Sequence, residues 1–119
     1  MKPSLSLSRS RRLGALLCAL LASVAATHAQ ADADEQYRYL AGLVEKGMYE
    51  LAAGEAQSFL RAFPGHEKAQ LARYRLASAL WELERHEEAA REYETVARVE
   101  RFEYRAEALF RCGEAARER

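Results

Sequence analysis

Between residues 76 and 97 the chain reads LASALWELERHEEAAREYETVA, and its apolar and small positions fall into two helical faces. Leu76, Ala77, Leu80 and Leu83 recur at spacings of one, three and three, and Ala89, Ala90, Tyr93, Val96 and Ala97 make a second face of the same period. Glu84-Arg85-His86 between them is long enough only for a tight turn, so the stretch predicts two antiparallel helices. Small residues at Ala77 and Ala89 let two helix axes approach to about 8–10 Å.

The same pattern recurs along the chain. Ala52 in ELAAGEAQSFLRAFP matches Ala89 in EEAAREYETVARVER at a separation of 37, and Tyr74-Arg75-Leu76-Ala77 matches Phe110-Arg111-Cys112-Gly113 at 36. Reading from Asp34, the pattern predicts helices near 34–46, 49–63, 67–84, 87–100 and 103–117. Gly47 suits a helix C-terminus, and Pro64 ends the second helix because it lacks an N–H and disfavours helical geometry in Phe63. Gly42 and Gly54 lie inside predicted helices at a cost of about 1 kcal/mol each, offset if they permit close helix packing.

Residues 1–31 read differently. Lys2, Arg9, Arg11 and Arg12 precede the uncharged run 13–26, and Ala29-Gln30-Ala31 places small residues before acidic Asp32. Basic, apolar and small in that order predict a signal peptide cleaved near Ala29 to Ala31, and hence a periplasmic or secreted chain. The run is 14 residues, short of the roughly 20 of a spanning helix, so no stable transmembrane span is expected after cleavage. Ser10-Arg11-Arg12 resembles a twin-arginine signal, but Gly14 stands where an apolar residue is expected. Leu16 and Leu17 before Cys18 are too large for a lipoprotein site.

Removing this leader changes the charge. Four of the 18 basic residues lie in it and none of the 18 acidic ones, so residues 32–119 carry a net charge of about −4. A mildly acidic domain with evenly spread arginines has no electrostatic footprint for nucleic acid. Cys112 is the one cysteine left, which leaves intermolecular pairing or a buried, inert thiol, and beside Leu109 and Phe110 on a packed helix it reads as the latter.

Gly47, Ala52 and Pro64, with Leu76-Ala77, Leu80, Ala89 and Tyr93, occupy the turn-glycine, small, aromatic and terminal-proline positions of a tetratricopeptide repeat, which the sequence resembles over residues 34–119. It departs from that pattern at Gln36 and Arg73, where bulky aromatics are usual. The period of 36 to 37 is similar to that of longer-looped repeats in periplasmic and outer-membrane-associated bacterial proteins, such as the Tol-associated coordinator and outer-membrane assembly lipoproteins. The resemblance implies an all-α fold of antiparallel helix-turn-helix repeats stacked as a short right-handed solenoid. Its parts would be repeat 1 at 34–64, repeat 2 at 67–100, and a capping helix or first helix of a third repeat at 103–117, in a domain spanning 32–119 after the signal peptide at 1–31.

The resemblance also implies a non-enzymatic adaptor that binds a partner protein or peptide through its concave groove, in a role such as cell-envelope assembly. The family's groove positions fall on Tyr37, Ala41, Val44, Tyr74, Ser78, Trp81, Phe110 and Glu114, with Tyr37, Tyr74 and Phe110 as an aromatic ladder. Against this stands packing of the same rings between helices. The carboxylate-clamping lysines and asparagines of chaperone-binding relatives are replaced by Asp34, Tyr37, Ala41, Leu71, Tyr74 and Ser78, so apolar contact would hold the partner. The competing structural reading is the front of a longer repeat array that mainly propagates the solenoid or self-associates through its last helix, where Leu109 and Phe110 favour an uncovered face.

Catalytic motifs for phosphate binding, an activated serine or a zinc helix are absent. His66 and His86 stand alone as turn or packing residues, so no metal and no cofactor is expected. Glu87–Arg91, Glu94–Arg98 and Glu107–Arg111 are spaced for ion pairs on solvated helix faces.

Overall fold

The computed structural model describes residues 4–118, with side chains from residue 10 onward. All regular structure among the described residues is helical: α1 (Ser4–Glu45), α2 (Tyr49–Ala62), α3 (Ala69–Glu82), α4 (His86–Ala97) and α5 (Arg105–Arg117). Contacts divide the chain into two units, Met1–Asp32 and Ala33–Arg119, with the division inside α1. The sequence predicts a helix starting near Asp34, whereas α1 is continuous from Ser4 because residues 4–33 hold no proline to break helical geometry.

In the first unit α1 exposes Leu13, Leu16, Leu17, Leu20, Leu21 and Val24 to solvent. Ser23 and Thr27 donate their hydroxyls to the carbonyls of Ala19 and Val24, at 2.9 and 2.8 Å, so their polar groups are satisfied within the helix. The helix is long and apolar enough to cross a membrane, a property that signal sequences share.

The second unit has one core. Leu40 and Leu43 of α1 join Ala52, Ala56 and Phe59 of α2, Ala72, Leu76, Ala77 and Leu80 of α3, and Ala89, Tyr93 and Val96 of α4, with Ala108 of α5 closing the end. Phe59, Leu40, Leu80 and Val96 are its largest fully buried side chains, each contributing about 1.5–3 kcal/mol. α2 packs on α3, α3 on α4 and α4 on α5, so neighbours in sequence are neighbours in space. Alanine at most of the contact positions is what allows this spacing.

The backbone repeats with the sequence. At the end of α1 the amides of Gly47 and Met48 donate to the carbonyls of Val44 and Leu43, at 3.0 and 2.9 Å. Thirty-seven residues on, Glu84 and Arg85 donate to Trp81 and Leu80 at 3.0 and 2.9 Å. Both are Schellman turns, with the pivotal residue left-handed: Gly47 at φ 71° and Glu84 at φ 60°. The loops that follow α2 and α4 also match, at a spacing of 36. His66 donates to Phe63 and Ala69 to His66 in the first, Phe102 to Val99 and Arg105 to Phe102 in the second.

Two expectations need correction. A Cβ placed on Gly42 or Gly54 would meet nothing within 4 Å, so neither glycine serves close helix packing within the chain. Of the three predicted i,i+4 ion pairs, Glu94–Arg98 forms at 2.8 Å, while Arg111 turns instead to Glu114, at 3.0 Å. Arg85 pairs with Glu88 through two hydrogen bonds of 2.8 Å, leaving Glu87 to the solvated first turn of α4.

Candidate functional site

The predicted groove positions lie on the inner half of α1, on α3 and on α5, and the structure gives them unequal surroundings. Tyr37 is half-buried, its ring edge-on to Phe59 at 6.2 Å and the Lys68 ammonium 5.3 Å above it. Tyr74 keeps only 7 % of its surface, enclosed by Tyr93, Phe102 and Tyr104. Phe110 is 60 % exposed. The three rings therefore do not form a uniform ladder, because each is covered only as far as the loop after it reaches back. His66-Glu67-Lys68 reaches Tyr37, and Phe102-Glu103-Tyr104 reaches Tyr74.

Ser78 is engaged inward as well. Its Oγ donates to the Tyr74 carbonyl at 3.0 Å and accepts from the Tyr93 hydroxyl at 3.3 Å. Ala41 and Val44 are half-buried, Val44 packing against the core. Burial, and then the neighbouring Glu107 carboxylate, push the Tyr74 phenol well above its ordinary range.

Trp81 and Glu114 are the pair that come together at an accessible surface. Trp81 stands edge-on to His86 with ring centroids 4.6 Å apart, and the Arg111 guanidinium lies 5.3 Å over its indole. Arg111 is itself paired with Glu114, and Trp81, Glu114, Arg117 and Glu118 line an open depression of about 280 Å³. The indole is thus held in place from two sides while half-buried, an arrangement that presents apolar area already fixed in one orientation. Val44 occupies the same register one repeat earlier, so the bulky aromatic is specific to α3.

A second cluster was not legible from sequence spacing. Asp34, His66 and Glu67 bring potential ligand atoms within 4.8 Å of one another, although 32 residues separate the first two. Their geometry disfavours a metal. His66 Nδ1 accepts the Lys68 amide at 3.1 Å, so a neutral imidazole carries its proton on Nε2, and a charged one has no free lone pair. That Nε2 faces Asp34 Oδ1 at 3.9 Å, and the Lys68 ammonium already binds the same oxygen at 3.0 Å. The Lys68 hydrogen bond holds the Asp34 carboxyl below its ordinary value. The cluster ties the loop after α2 to α1.

Cys112 is half-buried, with its Sγ 3.6 Å from the Ala90 carbonyl, and burial pushes the thiol upward, away from the reactive thiolate. Its helix neighbours Leu109 and Phe110 do not share that burial and lie on the uncovered face of α5.

No protein-family model, no curated protein and no solved structure matches the chain.

Proposed function

We propose that the chain is an exported, non-enzymatic helical-repeat protein of tetratricopeptide type that binds a partner protein or peptide at the surface around Trp81. The observation that carries this reading is the indole itself, half-exposed yet fixed between His86 and Arg111, beside the Glu114 edge of α5. Rigid aromatics flanked by arginine dominate binding energy at protein interfaces. The matched Schellman turns at a spacing of 37 support the repeat architecture, and the exposed apolar helix of the leader supports export. That compartment suits a role in cell-envelope assembly.

The contact surface is smaller than the full set of groove positions, since Tyr74 and Ser78 are committed to packing. Tyr37, Ala41, Val44, Trp81, Phe110 and Glu114 remain, with Arg111 and Arg117 beside Trp81 and Glu114. The test is Trp81→Ala, read by partner recovery from the exporting host and by circular dichroism. Recovery reduced at least tenfold with helicity intact supports the reading, and unchanged recovery contradicts it.

A further inference from the structure

The loop between α2 and α3 reaches Tyr37 by way of one histidine. The His66 amide donates to the Phe63 carbonyl, and the His66 carbonyl accepts from the Ala69 amide, at 3.1 and 2.9 Å. Its imidazole is a third anchor. The side chain is only 7 % exposed and stands edge-on to Phe59 and Phe63, with ring centroids 5.8 and 6.4 Å away.

The two ring nitrogens have unequal surroundings. Nδ1 accepts the Lys68 amide at 3.1 Å, whereas the buried Nε2 has no hydrogen-bond partner among the described residues. An unpaired polar atom in an enclosed place is a cost, and the acceptor it faces is already in use. Asp34 Oδ1 lies 3.9 Å from Nε2, and the Lys68 ammonium holds that oxygen at 3.0 Å while covering the Tyr37 ring at 5.3 Å. Lys68 is thus bound to His66 through its backbone and is its rival for Asp34 through its side chain.

Protonation of the imidazole changes both relations. The charged ring has no lone pair at Nδ1, so the Lys68 amide loses its acceptor. A cation enclosed by protein needs a counter-charge beside it, whereas the half-exposed Lys68 ammonium can be solvated instead. Asp34 of α1 and Glu67 of the loop bring carboxylate oxygens within 4.8 Å of the imidazole and favour its charged form. Lys68 opposes it, with Arg38 of α1 drawing on the same Asp34 charge. The Phe59 and Phe63 rings of α2 and the Ala69 amide of α3 complete the surroundings.

We propose that His66 is a pH-sensitive latch on Tyr37. With the imidazole neutral, Lys68 binds Asp34 and covers the Tyr37 ring; with it charged, Asp34 passes to His66 Nε2 and Lys68 leaves the ring open. Imidazole is the side chain that changes charge between about pH 5 and 8. Tyr37 is one of the predicted groove positions, so the area it offers depends on pH. The latch stands on the loop geometry alone and holds whether or not a partner binds at Trp81.

The experiment is amide hydrogen exchange by NMR on the full chain between about pH 8 and 5. Each rate is divided by that of an unstructured amide at the same pH, and the Tyr37 ring signals are followed alongside. The expected result is that Lys68 protection falls at least tenfold and the Tyr37 signals shift on the same curve as the His66 ring. Ala69, bonded to the His66 carbonyl rather than to its ring, keeps its protection. In His66→Asn the side-chain oxygen can accept the amide two residues on and does not titrate, so Lys68 protection stays flat. His28 and His86 are present in both chains and cannot account for a difference. Lys68 protection that is constant while the His66 ring titrates, that falls together with Ala69, or that falls equally in His66→Asn overturns the proposal. Should His66→Asn fail to fold, the first two outcomes in the natural chain decide.

Discussion

Tyr104 lies flat on Tyr74, with ring centroids 4.9 Å apart and planes 13° from parallel, and it seals the loop between α4 and α5 onto the core. One repeat earlier the same place is taken by the Lys68 ammonium over Tyr37. The fold thus repeats the contact while changing its chemistry, from a cation on a ring to a ring on a ring. Tyr104→Ala should cost about 1–3 kcal/mol in denaturant unfolding, the worth of a stacked pair plus its buried area. Tyr104→Phe should cost much less.

Tyr74 makes stability sensitive to alkali. Its phenol titrates higher in the folded chain than its ordinary value near 10, so the unfolded chain loses the proton first. The contribution is complete below about pH 10 and declines as pH rises from there toward the folded value. Tyr74→Phe should flatten the alkaline limb of a stability profile, measured by urea unfolding between pH 8 and 11.

Glu84 holds the left-handed position that Gly47 holds in the first hairpin. A non-glycine residue there costs about 1–2 kcal/mol. Glu84→Gly should therefore stabilise by about 0.5–1 kcal/mol, and Gly47→Ala should destabilise by about 1 kcal/mol. The nearest contact of a Cβ at Gly47 is an ordinary 3.9 Å to the Tyr49 ring, so that loss is conformational. Thermal unfolding of both variants checks the pair.

Gly42 and Gly54 invite the opposite change. Both are helical, and a Cβ on either meets nothing within 4 Å. Gly42→Ala and Gly54→Ala should each raise stability by about 0.5–1 kcal/mol, additively because the sites are on different helices. A loss of stability at either position in thermal unfolding would contradict the open space around that glycine.

The helix positions were legible because their signals are local. Alanine and leucine at helical spacing located the packed faces of α3 and α4, and Gly47 and Pro64 marked ends that any helix would respect. Glu84 escaped notice since its strain is imposed by a turn three residues long, which leaves no residue-type signature. Asp34 and His66 meet only because the hairpin returns on itself, so nothing in their spacing announces them. The surroundings of the predicted groove positions were harder still. Whether Tyr37, Tyr74 or Phe110 is covered depends on the loop that follows each one, and the register that made them look equivalent says nothing about Lys68 or Tyr104.

The most direct measurement keeps Trp81 and places a photo-cross-linking phenylalanine at Arg117, which lines the same depression, in the native host, with the same group at Leu51 as the control. A binding surface at Trp81 predicts a discrete protein adduct from 117 that is absent from 51. Adducts at neither position, or the same products from both, would contradict a binding surface centred on Trp81.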